Sequence, residues 1–288
     1  MILVTGANGQ LGRHIVEHLI TRQGGKPGAL AVSVRDTSKA QDLAARGISV
    51  REGDFDRPET LVAAFAGVDR VVLISTDGPR DLRIQQHRNA IGAAKRAGVK
   101  HIVYTSFIDV APDSPADFAA VHRATEADLR ASGLKLTILR NTLYADFLPM
   151  TVGAGVETGV FSLSAGAGKA TFLTREELAE ATAAAALAAD GAKEIYELTG
   201  AAAHSYADVA AAVSKVTGKP VRYEAVPEQD YAKALQDWGV PAWMAGSLGN
   251  MYTAVAQGRF ARVTGDFAAI TGHPPRPLDQ TVAALFAK

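Results

Sequence analysis

The first 140 residues alternate short apolar runs with stretches of helical periodicity. Residues 2–5 form an apolar run that ends in a glycine-rich turn, and 10–22 follow with apolar positions every three or four residues. The pairing recurs along the chain. Runs at 29–34, 48–51, 70–75, 101–105 and 136–139 read as strands, and 38–46, 58–66, 81–97 and 116–131 as helices. Ser38 and Pro58 mark two of the helix starts. The 70–75 run is β-branched and almost wholly apolar, as in a strand covered on both faces. This order predicts an α/β fold: a Rossmann-type doubly wound parallel sheet with helices on both sides.

After Arg140 the rhythm changes. Residues 152–170 are glycine-rich and read as loops with a short strand at 160–163. Residues 176–189 read as an alanine-rich helix, and 194–198 as a strand rejoining the first sheet. From 206 onward the pattern is mostly helical, broken at 221–226 and by a turn at 273–277. The expected organisation is a dinucleotide-binding domain over 1–148, rejoined by 174–200. A smaller, mostly helical substrate lobe takes 149–173 and 201–288.

Composition narrows the function classes. The 288 residues include 30 Lys+Arg and 30 Asp+Glu, so no net charge favours nucleic acid or an anionic membrane. With 0 cysteines, disulfides, thiolate nucleophiles and cysteine zinc sites are excluded. The stretch 183–189 is far short of the roughly 20 apolar residues that span a bilayer. No basic segment precedes the first apolar run, so a cytoplasmic protein without a signal peptide is expected.

The strongest motif is the turn Gly6, Ala7, Asn8, Gly9, Gln10, Leu11, Gly12, a G-x-x-G-x-x-G between strand and helix. Gly6 permits the sharp turn, and Gly9 lets the backbone approach a pyrophosphate over the helix N-terminus. On a helical wheel Leu11, Ile15, Val16, Leu19 and Ile20 form one apolar arc with Gly12 near its centre, where a missing side chain allows close packing. The second strand ends in Val34-Arg35-Asp36 with Lys39 one turn on. An acid there holds ribose hydroxyls in NAD sites, whereas an Arg accommodates the 2′-phosphate of NADP. Arg35 favours NADPH over NADH. In the alternative, Asp36 holds the ribose and Arg35 is solvated.

The turn, the VRD strand end, and the stretches REGDFD, HIVYTS and LRNTLY together resemble the NmrA-like family of atypical short-chain reductases. Within it the pattern is most like the NAD(P)H:quinone oxidoreductases, then the triphenylmethane reductases, with 243–267 matching least. The resemblance implies that Asp54 and Phe55 flank the adenine and Ile74 and Ser75 the adenosine ribose. Thr105, Ser106, Asn141, Leu143 and Tyr144 then line the nicotinamide end.

Ordinary short-chain dehydrogenases place a Tyr and a Lys four residues apart on the helix after the fifth strand. This chain has no Tyr over 105–143 and no Lys over 105–134, and carries His122 and Glu126 at that spacing. Alcohol dehydrogenation by that route is disfavoured. A quinone needs less help, since it accepts hydride readily and positioning supplies much of the rate. His122 is a candidate catalytic group because it replaces the Tyr, with a satisfied helix histidine as the plainer reading. Tyr144 follows the sixth strand at the end where open α/β sheets bind ligands, and is the second catalytic candidate. Phe107 and Phe147 are candidates for an apolar wall against a flat substrate, or core aromatics.

Tyr104 is expected to pack. His14, Glu17 and His18 match an H-x-x-E-H zinc string but fall on the polar arc, so no metal site is expected. Arg80, Arg83 and Arg88, interleaved with Asp81, read as a solvated face. The reading is an NADPH-dependent reductase of quinones or similar flat aromatic acceptors, with a homodimer left open. The alternative is a non-catalytic dinucleotide sensor binding a transcription regulator.

Overall fold

The computed structural model describes residues 1–22, 27–188 and 193–287. In chain order it begins β1 (Ile2–Thr5), α1 (Gln10–Arg22), β2 (Leu30–Val34), α2 (Gln41–Ala45), β3 (Ser49–Glu52), α3 (Pro58–Phe65) and β4 (Arg70–Leu73). It continues α4 (Arg80–Arg96), β5 (His101–Phe107), α5 (Asp117–Ala131), β6 (Lys135–Asn141), β7 (Leu143–Tyr144), α6 (Leu148–Thr158), β8 (Val160–Leu163), β9 (Lys169–Ala170) and β10 (Phe172–Leu173). The rest is α7 (Arg175–Leu187), β11 (Ile195–Leu198), β12 (His204–Ser205), α8 (Tyr206–Thr217), β13 (Arg222–Ala225), α9 (Glu228–Asp237), α10 (Ala242–Ala256), α11 (Asp266–Thr271) and α12 (Leu278–Phe286).

Seven strands form one sheet in the order β11-β6-β5-β4-β1-β2-β3. β1 pairs in parallel with β2 on one side and β4 on the other. The chain thus winds outward through β2 and β3, then returns to β4 and winds the other way. That reversal beside β1 is the topological switch point at which such sheets bind ligands. The expected doubly wound sheet is present, including the return of 194–198 as β11.

The residues group into two compact units. The first is Met1–Ser106, Val121–Arg140 and Arg175–Tyr196. The second is Phe107–Ala120, Asn141–Thr174 and Glu197–Lys288. Residues 107–120 and 141–148, assigned by sequence to the first domain, group with the second. Phe107 packs edge-on against Phe118 and Phe260, and Leu143 pairs with Phe172.

In the first unit one core cluster combines Leu3, Phe65, Leu73, Ile102, Tyr104 and Leu129. The apolar arc of α1 is buried as its periodicity requires, at Leu11, Ile15, Val16 and Leu19, and the helix packs on α7. The second unit has its own core around Leu148, Val152, Phe161, Tyr206, Val213 and Phe260.

Three expectations need correction. The helix expected at 38–46 with Ser38 as cap is a 3-10 turn over Thr37–Ala40 followed by α2, and the cap is Asp36. Residues 152–158, expected as loop, belong to α6. Gly155 serves close packing there: a Cβ on it would sit 3.1 Å from Phe161 Cβ. Arg83, expected on a solvated face, is buried, because it lies on the inward side of α4 with Gln86, His87 and Ala90. The expected helix end at 189 lies outside the described residues.

Candidate functional site

The glycine turn has the geometry its residues call for. Gly6 has φ +63°, in the left-handed region that favours glycine. Gly9 N–H donates to Gly6 O at 2.9 Å, closing the turn. A Cβ on Gly12 would lie 2.4 Å from Gly6 O, so α1 can approach the turn this closely only with glycine there. Asn8, Gly9 and Gln10 are exposed, while Leu11 is 8% exposed and belongs to the core. The first turn of α1 has no acidic residue. Its amide groups and positive dipole end are therefore uncompensated by carboxylate, as an anion site requires.

The end of β2 distinguishes two cofactor readings. Asp36 Oδ1 accepts hydrogen bonds from Ser38 N–H at 3.0 Å and Ser38 Oγ at 2.5 Å. Its other oxygen lies 3.5 Å from Lys39 Nζ. The Ser38 hydrogen bonds, chiefly, hold this carboxyl below its ordinary range. Its carboxylate is therefore engaged as a helix cap. Asn8 Nδ2 donates to Asp36 O at 3.1 Å, pinning the turn to the strand end. Arg35 is exposed and has no hydrogen-bond or ion-pair partner among the described residues.

The neighbouring strand ends are held by side chains. Ile74 N–H donates to Thr5 Oγ1 at 3.0 Å, and Ser75 N–H to Thr105 Oγ1 at 3.0 Å. Asp54 turns its carboxylate into its own loop, accepting from Asp56 N–H at 3.0 Å. Phe55 is 9% exposed and contributes to the core.

The two positions of the missing Tyr–Lys pair are both turned onto β5. Tyr104 and Ser106 lie on one face of the strand, two residues apart, and His122 and Glu126 on one face of α5, four apart. They match rung for rung. His122 Nδ1 lies 2.8 Å from Tyr104 Oη, and Ser106 Oγ donates to Glu126 Oε1 at 2.7 Å. Arg83 Nη2 approaches His122 Nε2 at 3.4 Å. A guanidinium only donates, so Nε2 carries the lone pair and Nδ1 the proton. Burial, then the charge of Arg83, holds His122 well below its usual pKa and therefore neutral. Burial likewise raises the Tyr104 hydroxyl.

Glu126 is 2% exposed and also accepts from Arg140 Nε and Nη2 at 3.0 and 2.7 Å. Burial pushes its carboxyl up, but hydrogen bonds from Arg140 and Ser106 outweigh it, and the net shift is down. His122 as a proton donor to substrate does not fit this placement: it is 6% exposed, neutral, and bonded to the core residue Tyr104. Ser106, expected at the nicotinamide end, points its hydroxyl at α5. Thr105, expected there too, holds the backbone of Ser75.

The remaining candidates belong to the second unit. Asn141 is 1% exposed and donates through Nδ2 to Tyr144 Oη at 3.2 Å. Tyr144 and Phe147 lie nearly parallel, with ring centroids 6.2 Å apart at 10°. Phe147 is 46% exposed, whereas Phe107 is partly buried against the core and Leu143 is buried. In the H-x-x-E-H string Glu17 pairs with Arg46, and among the described residues no group of three His, Cys, Asp or Glu side chains stands close enough together to hold a metal ion. No helix among the described residues is long and apolar enough to cross a membrane.

A model of the NmrA-like family matches residues 1–284. Quinone oxidoreductase 2 of Escherichia coli (strain K12) is 38% identical over 287 residues, covering 99% of both chains. An NAD(P)H azoreductase of Xenophilus azovorans is 35% identical over 277 residues, covering 96% of this chain and 94% of that one. The crystal structure of the Citrobacter sp. triphenylmethane reductase complexed with NADP(H) superposes with a TM-score of 0.91 at 34% identity, covering 99% of this chain and 100% of that one.

Proposed function

The chain belongs to the NmrA-like family, and on that premise we propose that it is an NADPH-dependent reductase of quinones or similarly flat conjugated acceptors. One observation carries the choice of acceptor. Both positions of the Tyr–Lys relay are occupied by residues bound to β5, so proton delivery to a poor hydride acceptor has no machinery on α5. An acceptor whose reduced form is already a stabilised anion does not need it. The acceptors named for the azoreductase and the triphenylmethane reductase belong to the same conjugated class.

NADPH, when bound, supplies the hydride. The glycine turn Gly6–Gly12 fits its pyrophosphate, with Asn8, Gly9 and Gln10 exposed at the amide end of α1. Arg35 grips the 2′-phosphate, since Asp36 is engaged in its cap. The loops at Asp54–Phe55 and Ile74–Ser75 flank the adenosine, and Thr105, Ser106, Asn141 and Leu143 support the nicotinamide end. We assign Tyr144, oriented by Asn141 Nδ2, to supply the proton that completes a hydroquinone. Phe147, exposed and stacked on Tyr144, and Phe107 offer the apolar surface for the ring. His122 acts only through Tyr104, as a positioning residue. We place the reaction in the cytoplasm, on a small aromatic substrate and without nucleic acid; sedimentation decides between monomer and homodimer.

The test is NADPH oxidation by purified protein with a panel of benzoquinones, azo dyes and triphenylmethane dyes. Turnover with at least one class is expected. Bound NADPH with no turnover across the panel overturns the reductase reading and favours a dinucleotide sensor.

A further inference from the structure

Helix α4 turns a row of polar side chains inward: Arg83, Gln86, His87 and, at its edge, Asn89. Arg83, Gln86 and His87 are all buried, on a face that a helix ordinarily fills with apolar groups. Burying such groups is costly unless each is bound. Each has a partner on one of two loops, and Arg83 and His87 also reach α5. Arg83 Nη2 donates to Ser75 Oγ at 2.9 Å, and Thr76 N–H donates to His87 Nε2 at 3.1 Å. Gln86 Nε2 donates to both carboxylate oxygens of Asp56, at 3.0 and 3.2 Å, and Asn89 Nδ2 to Phe55 O at 2.8 Å.

The His87 bond is oriented from behind. Its Nε2 accepts, so its proton is on Nδ1, 2.8 Å from Thr125 Oγ1, which itself donates to Val121 O at 2.9 Å. Together with Thr5 and Thr105, His87 thus ties three successive backbone N–H groups, those of Ile74, Ser75 and Thr76.

We propose that α4 is the positioning element for the adenosine half of the dinucleotide, fixing through Arg83, Gln86, His87 and Asn89 the two loops that flank it. The proposal rests on the dinucleotide reading above. None of the four side chains touches the cofactor; each acts through Phe55, Asp56, Ser75 or Thr76. A loop already held in its bound form loses less conformational freedom on binding. The contribution falls on the adenosine common to NADPH and NADH, unlike that of Arg35.

The probe is 2′,5′-ADP, which carries the adenosine, its 5′-phosphate and the 2′-phosphate without the nicotinamide. Its affinity is measured by calorimetry on the full chain, alongside those of NADPH and NADH. Gln86→Leu and Asn89→Leu are each expected to weaken 2′,5′-ADP by about three- to tenfold, the range for one lost hydrogen bond. Both should weaken NADPH and NADH by the same factor. Gln86→Lys, which restores a donor to Asp56, should recover most of the affinity, a rescue that general loosening of the fold does not predict. Wild-type affinity in both leucine variants, or no recovery with Gln86→Lys, overturns the proposal. A wild-type chain that binds NADPH in its other half but not 2′,5′-ADP also overturns it, whereas one that binds no dinucleotide at all overturns the reading on which it rests.

Discussion

The two units bury their polar groups for different purposes. In the first, histidines and charged residues bind to loops and to the strand ends: His87 to Thr76, Arg83 to Ser75, Glu126 to Ser106 and Arg140. In the second, the buried polar side chains include a cluster of tyrosines packed against one another. Tyr206 meets Tyr252 and Tyr223 at ring distances of 5.6 and 5.9 Å, and Tyr252 meets Tyr231 at 5.4 Å. The first arrangement fixes particular atoms at strand ends. The second supplies apolar area with hydroxyls satisfied locally. A ligand read by phosphate and ribose needs the former, and a lobe that only has to hold an apolar surface can be built from the latter.

Breaking the first unit's interior should be the more costly. Glu126→Leu removes a carboxylate that is 2% exposed, and with it the hydrogen bonds from Ser106, Arg130 and Arg140. Loss of one member of a buried pair costs about 3–5 kcal/mol. Urea unfolding should show that loss, and a change under about 1 kcal/mol would mean the pair is better hydrated than its burial implies.

The binding role of the first unit is isolated by Arg35→Ala. Losing a charge-assisted contact to the 2′-phosphate costs about 1.5–3 kcal/mol, or roughly 10- to 150-fold in affinity. NADPH should lose this and NADH almost nothing. Arg35→Asp should go further by adding repulsion against the phosphate. Titration of both variants with both cofactors reads the difference, and equal losses would move Arg35 from specificity to the support of the fold.

Acid separates the two interiors. His87 is held at about 3 by burial, then by Arg83, and His122 is also held well down. Both are neutral when folded, while an unfolded histidine protonates near 6.5. Their stabilisation is therefore complete above pH about 6.5 and is lost as pH falls toward the folded value. At pH 5 the loss is on the order of 2 kcal/mol for His87. Urea midpoints from pH 7.5 to 4.5 should fall more steeply in wild type than in His87→Gln. Equal slopes would show that His87 is not the titrating group.

How much of this was legible follows from what each feature depends on. The glycine turn could be read because the chemistry of Gly6 and Gly12 is local: a turn with positive φ and a contact with no room for a Cβ. The sheet followed from alternation of strand and helix. The helix α6 is hidden in the sequence because Gly155, placed for contact with Phe161, has the composition of a loop. Arg83 reads as solvated on charge alone, although positions 83, 86, 87 and 90 share one helical face. His122 and Glu126 stood out by spacing. Their partners Tyr104 and Ser106 require matching a strand's i, i+2 spacing to a helix's i, i+4 spacing, which becomes possible once α5 is known to cover β5.

Alkali should act through the second unit, and more gently. Tyr231 and Tyr206 are both raised, first of all by burial and then by the tyrosines around them; Tyr252 is also raised by burial. Each stays neutral in the folded protein past the pH at which an unfolded tyrosine ionises, near 10. Their stabilisation is present below pH about 10 and is lost as pH rises beyond it. One unit higher, a single tyrosine accounts for about 1.4 kcal/mol. Tyr231→Phe removes one such group, and with it a hydrogen bond to Tyr252 worth about 0.5–1.5 kcal/mol at neutral pH. The variant should therefore start less stable at pH 7.5 and decline less between pH 10 and 11, with its acid limb still that of wild type. If Tyr231→Phe instead flattens the acid limb, the division of labour between histidines in one unit and tyrosines in the other is wrong.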